Sequence, residues 1–255
     1  MKYINNSFSI EKVKAQVLAK KYDTPIYCYS FKKLKENINN FKESFKTFSP
    51  LICFAIKANA NVNLITEIRK LGLGADVVSV GELMKALKAG INPKKIVFSG
   101  VGKTNSEISY AIDKKILLIN AESKSEIIEI EKIAKFKKKI IDIGIRLNPN
   151  TDANTISQIS TGKKENKFGV DEKTFLNLVQ YSKKSKNIKL KCLSVHIGSQ
   201  ILDHRPFEKM LKVVNKIIKK TNHKFEFIDL GGGMGISYKN NNIKLNYKKY
   251  NFAIK

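Results

Sequence analysis

No apolar run among the 255 residues approaches the roughly 18–20 needed to cross a bilayer. Met1–Ile10 lacks the apolar stretch and small-residue cleavage site of a secretory signal. These two absences lead to the expectation of a cytoplasmic protein. Cysteine is scarce. Cys28, Cys53 and Cys192 are odd in number, lie in apolar, strand-like surroundings and match no metal-site spacing. They read as buried, reduced thiols, and no metal is expected. Acidic residues are also few: 22 Asp and Glu stand against 48 Lys and Arg, a net charge of +26. A polyanionic partner would account for such an excess if the basic residues formed one stripe interleaved with aromatics. They do not. Lysines occupy nearly every polar stretch, as at Lys32, Lys33 and Lys35 or Lys137–Lys139. The chain is rich in Lys, Ile and Asn, whose codons are rich in A and T, so genomic composition explains the charge. No nucleic-acid or membrane partner is expected.

The remaining composition, 42% hydrophobic and 27% charged, is that of a globular domain with a sizeable core. Seven short runs are nearly continuous in apolar residues, as strands buried on both faces are. They are Leu51–Lys57, Ala75–Val80, Ile96–Gly100, Ile116–Asn120, Ile141–Asn148, Leu190–Gly198 and Phe225–Gly231. Helical spacing separates them, over Asn63–Leu71, Gly81–Ala89, Ser123–Phe136 (with Ser123 and Glu126 suited to a capping box) and Asp203–Lys220. Alternating strands and helices imply a parallel sheet with right-handed crossovers. The expected fold is α/β, a (β/α)8 barrel of the triosephosphate-isomerase type with seven strands present; an open doubly wound sheet is the alternative. Pro25–Ser30 is a further strand-like run, followed by a helix around Phe31–Phe48, and reads as part of an accessory β domain. A helix is expected over Leu245–Lys255. Seven barrel strands leave two unpaired edges, so the chain is expected to be a piece of a longer protein or to be completed by a second polypeptide.

Active-site residues of such barrels sit at the carboxyl ends of the strands. Those ends hold Lys57, Asp76–Ser79, Ser99–Gly100, Asn120, Arg146–Asn148, His196–Ser199 and Gly231–Gly233. Lys57 closes the apolar Phe54-Ala55-Ile56. Desolvated in a barrel mouth, its amine would be a nucleophile toward an aldehyde; taken alone, it reads first as a snorkelling surface lysine. Gly231-Gly232-Gly233-Met234-Gly235 follows a strand and is a phosphate-cradle candidate, although its spacing is not that of a dinucleotide fingerprint. His196 has no Cys or carboxylate at ligand spacing, so it is either structural or a flat ring to stack on an aromatic cofactor.

Together these segments resemble the fold-type III enzymes that use pyridoxal 5'-phosphate (PLP). Phe54-Ala55-Ile56-Lys57-Ala58-Asn59 is similar to their PLP-lysine motif. Gly74–Ser79 with Gly81-Glu82-Leu83, Ile96–Lys103, Ile159–Gly162 running into Asn166–Gly169, His196–Gln200 and Asp229–Gly233 follow in the order of the diaminopimelate decarboxylase family. The resemblance runs from about residue 22 to the end. It implies residues 1–30 as an N-terminal segment and 31–255 as a PLP-binding, alanine-racemase-like barrel that stops before its last strand. It implies that Lys57 holds PLP covalently, that His196 stacks on the pyridine ring, and that Ser199 with the amides of Gly231, Gly232 and Gly233 binds the phosphate. Arg146, Glu82 and Asp76 would belong to the network around the ring. The implied reaction is decarboxylation of meso-2,6-diaminopimelate to L-lysine, the last step of lysine biosynthesis, by a homodimer with shared sites. A related decarboxylase of another basic amino acid or carboxylated polyamine, or a non-catalytic PLP-binding chain, are the alternatives. Two departures stand out. Asp152-Ala153-Asn154-Thr155 is followed by Ile156 where the family often has a histidine. The family's Glu-Pro-Gly-Arg strand, Cys-Glu block and Tyr-Asp block do not occur.

Overall fold

A computed structural model describes residues 2–4, 6–153, 161–162, 168–238 and 245–255. The Asn154–Ile156 part of the substrate loop and the Ile159–Ser160 and Asn166–Lys167 parts of the family motif lie outside these residues. The chain forms two compact units, Met1–Pro50 and Leu51–Lys255.

In the first unit β1 (Lys2–Ile4), β2 (Ser7–Ile10) and β3 (Val13–Lys14) form an antiparallel meander. Then come α1 (Ala15–Tyr22) and α2 (Phe31–Ser44). Ser30 caps α2 by accepting from the Lys33 amide at 3.1 Å, and Glu11 Oε1 accepts from Ser30 Oγ at 2.7 Å and the Lys32 amide at 3.1 Å. The strand expected at Pro25–Ser30 is absent. That segment pairs with no neighbour among the described residues, and its aromatic side chains Tyr27 and Tyr29 are 91% and 56% exposed. Strand-favouring residues make a strand only where a ladder and a buried face receive them, and here residues 2–14 build the ladder instead.

In the second unit each expected strand is present. They are β4 (Cys53–Ala55), β5 (Gly74–Val77), β6 (Ile96–Phe98), β7 (Leu118–Ala121), β8 (Ile141–Leu147), β9 (Ile188–Val195) and β10 (Phe227–Asp229). They run parallel in the strict order β10-β9-β8-β7-β6-β5-β4. A doubly wound sheet would reverse its order at a switch point; this one never does. The intervening helices are α3 (Val62–Lys70), α4 (Val80–Lys88), α5 (Asn105–Asp113), α6 (Lys124–Phe136), α7 (Glu172–Lys184) and α8 (Arg205–Thr221), with α9 (Tyr247–Ile254) last. Side-chain caps at Asn61, Ser79, Thr104, Ser123 and Asp171 start five of them. The Ser123 cap differs from the expected box. Ser123 Oγ accepts from the Glu126 amide, but Glu126 accepts from the amide of Glu122, one residue earlier.

The sheet is curled. Asn120 on β7 and Asp229 on β10 are three strand spacings apart, about 14 Å in a flat sheet, yet Asn120 Nδ2 donates to Asp229 Oδ2 at 3.1 Å. Seven strands of a barrel wall thus bend round a common interior, with β4 and β10 as its edges. Gly144 on β8 makes the bend possible, because a Cβ there would lie 1.9 Å from Asn120 Oδ1. Outside the sheet, apolar faces seal the layers. On α8, Phe207, Met210, Val214 and Ile217 are buried, and Phe207 stacks on Tyr250 of α9 at 4.4 Å. The three thiols are free. Cys192 is buried and Cys53 half-buried, and burial pushes the Cys53 thiol up to about 12. Cys28 is half-buried and lies on no strand. Among the described residues no helix is long and apolar enough to cross a membrane, and no cluster could hold a metal ion.

Candidate active site

The polar residues at the carboxyl ends of β4–β10 converge. Lys57 sits two residues past β4, in the one-turn 3-10 segment Ile56–Ala58 rather than on the strand. It is exposed, not desolvated. The buried neighbour Ile56 anchors the turn. Its positive charge acts on both Asp76 and His196.

Asp76, on β5, accepts from Ser99 Oγ at 2.7 Å. Burial pushes its carboxyl up to about 6. The negative charge of Asp229 adds to that, while the Ser99 hydrogen bond and the charges of Lys57 and Arg146 oppose it. Asp229 closes β10 and is a hub. Its Oδ2 accepts from Ser194 Oγ at 2.9 Å and Asn120 Nδ2 at 3.1 Å, and its Oδ1 from the Gly231 amide at 2.9 Å. Arg146, at the end of β8, is almost fully buried. Its Nη1 pairs with Glu122 Oε1 at 3.0 Å, its Nη2 donates to the His196 carbonyl at 3.4 Å, and its guanidinium lies 4.9 Å from the centre of the Phe168 ring. Glu122 also accepts from the amides of Gly100 at 2.9 Å and Gly169 at 3.2 Å.

His196 follows β9 and is half-buried. Its Nδ1 accepts from the Gly232 amide at 3.2 Å. Burial, with the charges of Arg146 and Lys57, lowers its pKa to about 3, so the ring is neutral at physiological pH. The glycine turn folds back on the strand that carries His196. Gly231 and Gly233 have φ of +66° and +83°, and Cβ atoms there would lie 2.6 Å from the Val195 carbonyl oxygen and 1.8 Å from that of Gly198. At Gly232 nothing lies within 4 Å of a Cβ position. Close packing thus explains two of the glycines, and open space surrounds the third.

Two expectations change here. The amides of Gly231 and Gly232 donate to Asp229 Oδ1 and His196 Nδ1, so they do not form a free trio with Gly233. Glu82 turns to its own connection, where its Oε2 accepts from the Val78 amide at 2.9 Å and closes the turn into α4. Ser199 is exposed just beyond His196. Glu122 and the hub role of Asp229 were not anticipated. A carboxylate directly after the apolar Ile116–Ala121 run was the available signal for Glu122.

The site carries opposed pH dependences. The His196 pKa falls from 6.5 to about 3 on folding, so below 6.5 the unfolded chain takes up a proton the folded one refuses, and stability is lost as pH falls through this window. The Asp76 pKa rises from 3.8 to about 6, so its contribution is full below 3.8 and is lost as pH rises through about 6. Between those limits the two slopes offset. Asp76→Asn removes one, and urea unfolding of this variant is expected to lose stability more steeply than wild type from about pH 6 to 4. An unchanged slope would show that Asp76 keeps an ordinary carboxyl pKa.

Residues 31–255 match the family described as pyridoxal-dependent decarboxylase, pyridoxal binding domain. A diaminopimelate decarboxylase of Helicobacter pylori (strain J99) is 48% identical over 222 residues, covering 86% of this chain and 55% of its own length. The crystal structure of diaminopimelate decarboxylase from Helicobacter pylori complexed with L-lysine superposes with a TM-score of 0.90 at 43% identity, over 94% of this chain and 61% of that one. Diaminopimelate decarboxylase from M. jannaschii gives a TM-score of 0.92 at 34% identity, over 99% of this chain and 61% of that one. The chain therefore spans about 55% of the length of the curated relative it matches. With residues 31–255 matched by that family's model and the same strand order shared with those structures, the chain belongs to the pyridoxal-dependent decarboxylases through their pyridoxal-binding domain.

Proposed function

We propose that the full-length protein decarboxylates meso-2,6-diaminopimelate to L-lysine and CO2, using PLP held by Lys57. The observation that carries this reading is the convergence of an exposed lysine amine, a neutral imidazole and a glycine turn at one end of one curled sheet. The residues fit the cofactor. Open space around Gly232 admits an anionic group close to the backbone. Ser199 is exposed beside that turn and supplies a hydroxyl. PLP, when bound, supplies an electron sink for the pair released as CO2 leaves.

The chain's own residues supply binding, orientation and proton handling. Lys57 presents a primary amine for covalent attachment. His196, fixed through Nδ1, presents a flat uncharged ring suited to an aromatic face. Asp76, with a carboxyl pKa of about 6 and in the field of Lys57, can hold or return a proton near neutral pH. Arg146 is held by Glu122 and by the His196 carbonyl, and its positive charge acts on the His196 ring. Support for the substrate comes from the relatives' common name and from the L-lysine complex of the Helicobacter pylori enzyme. In the proposal the enzyme is a cytoplasmic homodimer whose site is shared between subunits.

Full-length protein supplied with PLP is expected to release CO2 from meso-diaminopimelate and to form L-lysine, with Lys57→Ala reduced to background. Undiminished turnover by Lys57→Ala would overturn the assignment. Turnover of arginine or ornithine in place of diaminopimelate would move the substrate and leave the cofactor site standing.

A further inference from the structure

Asp229 lies in the centre of the polar network, yet the proposed chemistry gives it no contact with the substrate. Its carboxylate is held at three points from three parts of the fold: Ser194 on β9, Asn120 on β7 and the Gly231 amide directly after β10. Such a carboxylate cannot rotate. Gly231 therefore leaves β10 in a fixed direction, in the positive-φ conformation that glycine tolerates. The next amide, that of Gly232, points at His196 Nδ1. Beyond it the turn is pinned again, because the Ile201 amide donates to the Gly233 carbonyl at 2.9 Å. An imidazole nitrogen that accepts a hydrogen bond carries no proton, so the neutral ring must hold its hydrogen on Nε2.

We propose that Asp229 is a positioning residue for His196: it orients the glycine turn so that the Gly232 amide fixes the imidazole as the Nε2–H tautomer. This gives the network a purpose beyond cohesion. The ring that faces the cofactor is set by a carboxylate on the neighbouring strand, acting through two successive backbone amides. The importance of His196 rests on the proposed function, whereas the hydrogen-bond chain stands on the geometry alone.

The test is nitrogen NMR of full-length protein labelled with 15N-histidine. Among the residues of this chain only His196, His204 and His223 contribute. His223 is an internal control, because its Nε2 lies 3.0 Å from the Leu190 carbonyl oxygen, an acceptor that also requires an Nε2–H. Wild-type His196 is expected to show a pyridine-like Nδ1 and a pyrrole-like Nε2. Asp229→Ala is expected to move both signals toward a tautomer average and to leave His223 unchanged. Asp229→Asn keeps an oxygen for Gly231 but sets an amide NH2 against the Asn120 NH2, so it is expected to shift His196 less than Asp229→Ala does. A folded Asp229→Ala with wild-type His196 signals, or a folded Asp229→Asn that shifts His196 more than Asp229→Ala, would overturn the proposal. Should Asp229→Ala fail to fold, Ser194→Ala removes one of the carboxylate's anchors; a partial shift of His196 is then expected, and no shift would refute the role. Failure to bind PLP would count against the proposed function while leaving this readout intact.

Discussion

Gly233→Ala is expected to abolish the native glycine turn, whereas Gly232→Ala, one residue earlier, is expected to leave the fold intact. At Gly233 two costs combine. A φ of +83° strains any residue with a Cβ, by about 1–3 kcal/mol. The added atom would also lie 1.8 Å from the Gly198 carbonyl oxygen, a backbone atom that cannot step aside without moving the loop after His196. Gly231→Ala belongs to the same class, with a Cβ 2.6 Å from the Val195 carbonyl oxygen and 2.7 Å from His196 Nδ1. At Gly232 the Cβ meets nothing within 4 Å and φ is not positive, so the change should stay within about 0.5 kcal/mol. The contrast separates two uses of glycine. Loss of PLP affinity in a stable Gly232→Ala protein would report a ligand that needs the open space. Thermal and urea unfolding of the three variants checks the order, and equal stability of Gly232→Ala and Gly233→Ala would contradict it.

Glu122→Ala is the second large effect. The Glu122 and Arg146 side chains are 1% and 10% exposed. Removing the carboxylate leaves a buried guanidinium with the His196 carbonyl at 3.4 Å and the Phe168 ring, and takes the acceptor away from the Gly100 and Gly169 amides. Breaking one side of a buried ion pair typically costs about 3–5 kcal/mol. The gain from the intact pair is much smaller, so the loss measures the stranded charge and not the strength of the bond. Glu122→Gln keeps one acceptor oxygen and should fall between wild type and Glu122→Ala. Urea unfolding is expected to show a lower midpoint at an unchanged denaturant slope. A midpoint near wild type would mean that Arg146 finds solvent once Glu122 is gone.

The barrel wall was legible in the sequence for a simple reason. Strands buried on both faces leave near-continuous apolar runs, and all seven such runs of residues 51–231 became neighbours in one parallel sheet. Length and turn residues distinguished the helices between them. The errors fall where local signal and tertiary context disagree. Pro25–Ser30 has the composition of a strand but no partner among the described residues, while β1, β2 and β3 form a meander that no apolar run announces. Lys57 reads as a strand end because a one-turn 3-10 segment has no period of its own. In the site, position along the strands pointed to Lys57, Asp76, Arg146 and His196. Their partners were hidden, since hydrogen bonds between strands several places apart depend on curvature. Asn120 meets Asp229 only because the sheet bends, and Glu122 became visible as the counter-ion of Arg146 only once β7 lay beside β8. Glycine identity was legible, but the division of labour among Gly231, Gly232 and Gly233 required the backbone of Val195 and Gly198.

The central claim, that Lys57 is the residue that carries the cofactor, is tested most directly by covalent trapping. Full-length protein incubated with PLP, reduced with sodium borohydride and digested for mass spectrometry is expected to carry one pyridoxyl group per chain, on Lys57. The abundance of lysine makes this a demanding test, because a chain with 45 lysines offers many surface amines. A label spread over those amines, or a single label elsewhere with Lys57 unmodified, would contradict the account.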